Sequence, residues 1–319
     1  MKARVLGTGS YLPEHILTND DLAKIVDTSD EWIQERTGIR ERHLTDQGTV
    51  FMAAEAARKA LENSELTVED LDLILVGTVS PDYLYPSVAC QLQAAIGAEN
   101  IPCMDLSAAC SGFLFSMNTA AAWIQSGIYK KVLVVGAETL SRFVDWSDRT
   151  TCVLFGDGAG AVVLGADEEG IYGMEMGSNG SKGMVLHCPG ITIENPVCHQ
   201  EKKQQYLYMD GREVYRFATR KIPESVRKIT EETGTDIAEI DHFIMHQANL
   251  RILASAAKKL GISMDKIPTN MEHCGNLASA SIPVLLDEYN RAGKLKRGQR
   301  VLVCGFGGGL TWGSTLMVW

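Results

Sequence analysis

Cys110 closes the small-residue run SAAC at the end of an expected strand and opens the apolar stretch SGFLFSMNTAAAWIQS. A helix that is apolar on nearly every face is a buried one. Its N-terminus offers free amide N–H groups and the positive end of the helix dipole. A thiol placed there is expected to ionise readily and act as a nucleophile. Ala108, Ala109, Ser111 and Gly112 are small enough to let a substrate close in. Buried cysteines are more often inert packing residues, so placement alone leaves both readings open. Cys90, Cys103, Cys152 and Cys304 lie in apolar helix or strand patterns and read as core.

Two groups that could serve a cysteine nucleophile stand elsewhere, one at a strand end and one in a polar turn. The run FIMHQANLR puts His246 at the carboxyl end of a short strand, and in HCGNLASAS the polar turn Gly275-Asn276 precedes a small-residue helix start. A neutral histidine and an asparagine amide can both donate to one carbonyl oxygen and so stabilise the enolate that decarboxylation leaves. The bland alternatives are a structural histidine and a simple turn asparagine. The run GFGGGLTWGS at 305–314 holds three consecutive glycines, which let a backbone N–H point into a site; a tight loop without a ligand is the other reading. GDGAG at 156–160 leads into the strand AVVL rather than a helix, so it reads as close backbone packing, not as a phosphate loop.

The elements around these residues alternate as α/β layers do. Strands are expected at 73–76, 132–135, 161–164, 243–245 and 301–304, and helices at 52–63, 111–126, 213–233, 250–260 and 282–292. The longest irregular stretch is 177–206. TVEDLDLILV at 67–76 is echoed by DIAEIDHFIM at 236–245, and KVLVVG at 131–136 by RVLVCG at 300–305. Both pairs are offset by 169 positions, since 236 − 67 and 300 − 131 agree. Two echoes at one offset favour a duplicated unit, with halves at 1–170 and 171–319. Functional residues are then expected beyond the carboxyl ends of strands in both halves.

With 319 residues, 45% of them hydrophobic, the chain can build one large core or two fused ones. A net charge of −10 repels nucleic acid and requires any anionic partner to find a local basic patch. The N-terminus shows no apolar leader, and no apolar run reaches the ~18 residues needed to span a bilayer. Eight scattered cysteines point to reduced thiols and a cytoplasmic setting.

Taken together, the motifs resemble the β-ketoacyl-acyl-carrier-protein synthase III family of the thiolase fold. The segments that carry the likeness are GTGSYLPE at 7–14, TSDEWIQERTGIRERH at 28–43, SAACSGF at 107–113, FGDGAGA at 155–161, HQANLRI at 246–252, GNLASAS at 275–281 and FGGGLTWGS at 306–314. The resemblance implies a duplicated α/β/α/β/α thiolase-like architecture. It implies an initiating condensing enzyme of type II fatty acid synthesis, which joins an acyl-CoA primer to malonyl-carrier protein by decarboxylative Claisen condensation. Cys110 is then the acyl-accepting nucleophile, with His246 and Asn276 as the decarboxylation pair. The N–H groups of Cys110 and Gly308 form the oxyanion hole, and Phe306 screens the thiol. Trp32 and Arg149 sandwich the CoA adenine, while Thr28, Arg36, Gly211, Asn249 and Arg251 line the CoA channel. Leu140, Phe155 and Tyr85 form the primer pocket, with the Tyr85 position contributed by the second subunit of a homodimer. Many relatives carry Phe at the Tyr85 position.

Basic faces are expected to dock an acidic carrier protein. Arg212, Arg216 and Arg220 recur along one helix face, and Arg251, Lys258 and Lys259 along another. The alternatives separate on single residues. A degradative thiolase needs a cysteine where Gly305 stands, and an elongating synthase needs a second histidine where Asn276 stands. A sister enzyme of secondary metabolism using another acyl-CoA is not separated by the motifs. His187-Cys188 and Cys198-His199 lack the spacing of a zinc site. No metal and no redox cofactor is expected.

Overall fold

The computed structural model describes residues 1–201 and 205–319; residues 202–204 of the irregular stretch lie outside them. Nine strands form the main sheet. They are β1 (Lys2–Tyr11), β2 (Leu73–Gly77), β3 (Cys103–Leu106), β4 (Lys131–Thr139), β5 (Asp157–Asp167), β6 (Ile171–Ser178), β7 (His242–Met245), β8 (Arg300–Gly307) and β9 (Thr311–Val318). Their order is β7-β8-β9-β6-β1-β5-β4-β2-β3. The helices that matter for the site are α1 (Asp30–Thr37), α2 (Thr49–Ser64), α3 (Val88–Ile96), α4 (Gly112–Gln125), α5 (Gly211–Thr233), α6 (Leu250–Leu260) and α7 (Ser281–Arg291).

The strands alternate in burial, and the alternation builds the layers. Leu73, Leu75, Val132 and Val134 pack with α4 and α7, whereas Ile74, Val76, Leu133 and Val135 pack with α2 and α3. In the other half Ile244, Val301 and Val303 face the same central helices, and Phe243, Met245 and Leu302 face α5 and α6. The result is five layers, α/β/α/β/α, with α4 and α7 buried in the middle. β1 and β6 touch through Ala3 and Ile171, which joins the two sheets into one.

Outward from that contact the sheet repeats itself. β1-β5-β4-β2 on one side has the same sequence of antiparallel, antiparallel and parallel pairings as β6-β9-β8-β7 on the other. The 169-residue offset also holds for backbone conformation. Ala109 (φ 46°) and Ala278 (φ 44°), with 109 + 169 = 278, are both left-handed, and each opens a 3₁₀ turn that leads into a central helix. β6, α1 and α3 lie outside the ranges expected for strands and helices. Cys90, expected in the core, is exposed on α3.

Candidate active site

Cys110 does not sit in the first turn of α4, as the sequence implies, but in the 3₁₀ turn Ala109–Ser111 just before it. The left-handed Ala109 turns the chain sharply between β3 and α4 and presents the thiol where the two elements meet. Gly307, at the end of β8, makes this possible. A Cβ there would lie 2.8 Å from both the Cβ and the N of Cys110, so only glycine lets this strand pass against that residue.

Burial pushes the Cys110 thiol up to about 12, and the charge of buried Glu138 adds to this; the N–H groups of Cys110 and Gly308 act the other way. This reverses the expectation of a resting thiolate, because desolvation outweighs what the turn's amides supply. Glu138 is itself raised to about 7 by burial, although Ser80, Ser279, Thr78 and the Val79 N–H all donate to it.

His246 leaves the end of β7 almost fully buried, and burial alone lowers it to about 3, so the ring is neutral. Its Nδ1 lies 2.6 Å from Ser281 Oγ, the first residue of α7. Ser281 Oγ also accepts from the Gln247 N–H at 3.4 Å, and among the described residues Nδ1 is the acceptor that its own proton meets. The proton on His246 therefore resides on Nε2, a donor available to a substrate oxygen. Phe306 packs edge-on against the ring with centroids 5.0 Å apart.

Asn276 follows Gly275, which is left-handed at φ 67°. Its backbone is fixed by bonds with Leu154 O and the Gly156 N–H, and its Oδ1 accepts from the Ala278 N–H at 2.9 Å. The amide is thus oriented with Nδ2 as the group left to face a ligand.

Cys110, His246, Asn276 and Phe306 all line one cavity of about 490 Å³. Trp32, Arg36, Arg149, Gly211, Asn249 and Arg251 line it too, so six of the seven expected CoA positions share the wall of the cavity that Cys110 lines. Thr28 does not; it lies just before the Ser29 cap of α1, with its hydroxyl buried and unpaired. The guanidinium groups of Arg36 and Arg149 stand 5.4 and 5.3 Å from the centre of the Trp32 ring. Asn249 has a structural task as well: its Oδ1 caps α6, and its Nδ2 donates to Arg36 O.

A second cavity, of about 970 Å³, meets the first at Cys110, Phe155 and Leu186. Leu140 and Gly308 line it. Tyr85 does not: it is 86% exposed, while its neighbours Tyr83 and Leu84 reach the cavity.

The basic faces are less free than their spacing implies. Arg216 pairs with Glu213, and Arg220 approaches Glu224 at 3.8 Å. Lys259 Nζ donates to Thr219 O at 2.9 Å. Pro223 explains this: it lacks the N–H that would have bonded the carbonyl four residues back, and Lys259 takes the orphaned oxygen. Arg212 and Arg251 remain at the cavity and Lys258 stays exposed on α6.

Residues 104–180 match the family profile described as 3-Oxoacyl-[acyl-carrier-protein (ACP)] synthase III, and residues 230–319 match its C-terminal companion. The Beta-ketoacyl-[acyl-carrier-protein] synthase III of Clostridium acetobutylicum is 51% identical over 99% of this chain and 98% of its own. The chain belongs to the β-ketoacyl-acyl-carrier-protein synthase III family. The crystal structure of the 3-oxoacyl-[acyl-carrier-protein] synthase III from Aquifex aeolicus has a TM-score of 0.93 and 44% identity over 99% of this chain and 100% of that one. The priming β-ketosynthase from the R1128 polyketide pathway is also similar, at a TM-score of 0.93 and 34% identity over 99% and 96% of the chains.

As a synthase III family member the chain has the thiolase fold, and it is a condensing enzyme of the acyltransferase class. Among the described residues no helix is long and apolar enough to cross a membrane. Motif reading missed Ser281 and Glu138 as parts of the site. Ser281 stood in plain view in GNLASAS, but nothing in a run of small residues marks which one touches a histidine.

Proposed function

We propose that this synthase III joins an acyl-CoA primer to malonyl-carrier protein through an acyl-Cys110 intermediate. The observation that carries the reading is the convergence of Cys110, the neutral ring of His246 and the side chain of Asn276 on one cavity whose wall holds Trp32, Arg36 and Arg149.

In the first half-reaction the Cys110 sulfur attacks the thioester carbonyl of acyl-CoA. The Cys110 and Gly308 N–H groups receive the oxyanion, and the thiol proton ends on the departing CoA sulfur. In the second, malonyl-carrier protein presents its thioester oxygen to His246 and Asn276. The carboxylate leaves as carbon dioxide, and its bonding pair becomes the enolate those two donors stabilise. The enolate carbon attacks acyl-Cys110, the sulfur leaves as thiolate, and solvent returns its proton.

Trp32 and the two arginines suit a purine and its phosphates, and the Leu140–Phe155 cavity suits the primer chain. Arg212, Arg251 and Lys258 offer charge for an acidic carrier, while Lys259 and Arg216 are engaged elsewhere. Tyr83, Leu84 and Tyr85 expose an apolar patch that suits a second copy of the chain in a homodimer. The repeat of topology supports a duplicated origin for 1–170 and 171–319. A cytoplasmic setting agrees with eight free cysteines.

The test is product formation. Acyl-CoA plus malonyl-carrier protein should yield carbon dioxide and 3-ketoacyl-carrier protein, with free CoA appearing before malonyl-carrier protein is added. No condensation product with any of a panel of acyl-CoAs refutes the reading.

A further inference from the structure

One cluster of metal-ligating side chains among the described residues lies outside the catalytic cavity. The short helix Met271–Cys274 brings His273 and Cys274 against Glu288 of α7. His273 Nε2 is 3.1 Å and Cys274 Sγ 3.8 Å from the same oxygen, Glu288 Oε1, and all three donor atoms lie within 4.8 Å of one another. Tetrahedral zinc holds nitrogen and oxygen ligands at about 2.0–2.2 Å and sulfur at about 2.3 Å, which sets ligand atoms roughly 3.3–3.9 Å apart. The three donors are therefore already near the spacing of three corners of such a site.

A second observation points the same way. Asn270 is 3% exposed, its Nδ2 donates to the other Glu288 oxygen at 3.0 Å, and its buried Oδ1 has no hydrogen-bond partner. A buried carbonyl oxygen without a donor is costly, and Asn270 is tied to the cluster through Glu288. Arg40, a cation beside the cluster, is paired with Glu272.

We propose that His273, Cys274 and Glu288 form a binding site for a single transition-metal ion of the zinc class. The mixed nitrogen, sulfur and oxygen set suits Zn²⁺ or Co²⁺ and not Mg²⁺ or Ca²⁺, which take oxygen ligands alone. Binding releases the Cys274 thiol proton to solvent as the metal–thiolate bond forms, with no change of oxidation state. His273, about half exposed, is the side from which the ion enters and on which water completes the coordination. The site lies two residues before Asn276, so a bound ion braces the turn that carries it without joining the reaction. It is separate from the His187-Cys188 and Cys198-His199 pairs, which belong to the 177–206 stretch.

The test is titration of metal-free full-length protein with Co²⁺. Wild type should take up one equivalent and develop a thiolate-to-cobalt charge-transfer band together with the strong visible bands of tetrahedral cobalt, and Zn²⁺ should erase both. His273→Ala, a half-exposed position that leaves the core intact, should weaken binding at least tenfold, and Cys274→Ser should lose the charge-transfer band. No band in wild type overturns the proposal. So does a band that persists unchanged in both variants, because another cysteine then binds the ion.

Discussion

Replacing Ser281 with alanine isolates one inference about the reaction, that a hydroxyl at the start of α7 fixes the proton of His246 on Nε2. The Ser281–His246 contact is buried and 2.6 Å long. A net hydrogen bond of this kind is worth about 1–1.5 kcal/mol, and about 1.4 kcal/mol is a factor of ten in rate. In Ser281→Ala the ring is free to move its proton to Nδ1 or to turn, and the donor aimed at the substrate oxygen is lost for part of the population. Decarboxylation should therefore slow about tenfold. Transfer of the acyl group to Cys110 should keep its wild-type rate, since the oxyanion there is received by backbone N–H groups. Ser281→Thr, which retains the hydroxyl, should recover most of the loss. The two half-reactions are read separately, acylation by intact mass after mixing with acyl-CoA and decarboxylation by carbon dioxide release from labelled malonyl-carrier protein. Equal slowing of both, or of neither, in Ser281→Ala refutes the tautomer argument.

Gly307→Ala should abolish acylation and lower stability, because a Cβ there stands 2.8 Å from the Cys110 backbone and one of the two must shift; a wild-type acylation rate in the variant would sink this reading. Lys259→Met should lower stability to denaturant by about 1 kcal/mol through the unpaired Thr219 carbonyl and leave turnover unchanged. Loss of malonyl-carrier affinity with unchanged stability would instead make Lys259 a docking residue. His246 is held at about 3 in the folded chain, against the ordinary histidine value of 6.5. Below pH 6.5 the unfolded chain binds a proton that the folded chain refuses. Stability on this account falls with pH through that window, by at most about 1.4 kcal/mol per pH unit, until the folded value is reached. His246→Gln should flatten that part of the acid limb, and an unchanged slope would contradict the burial argument.

Strand ends were legible because periodicity and glycine mark them, and chemistry in a layered α/β fold gathers there. Cys110 and His246 stood out beyond strand ends and Asn276 in a glycine turn, but their roles came from the family resemblance and not from the pattern. The 169-residue echo likewise survived in the residues that pair β2 with β4 and β7 with β8. What failed was environment. No pattern in SAAC shows that the thiol is desolvated beside Glu138, so its ionisation was misjudged. Lys259 looked like a free surface charge because its partner, the Thr219 carbonyl, is orphaned by a proline in a different helix. Cys90 looked buried because α3 is rich in apolar residues, yet one side of α3 faces solvent. Thr28 and Tyr85 matched family positions, but their side chains reach neither cavity of the single chain.

The central claim is that Cys110 carries the primer between two half-reactions. Intact-mass and peptide-mass analysis of wild type and Cys110→Ala, after mixing with acyl-CoA and again after a malonyl-carrier chase, tests it directly. The account predicts that wild type gains one acyl group on the Cys110 peptide, that the chase removes it with release of carbon dioxide, and that Cys110→Ala gains none. An acyl group found on another peptide, or one retained by Cys110→Ala and still discharged by malonyl-carrier protein, would contradict it.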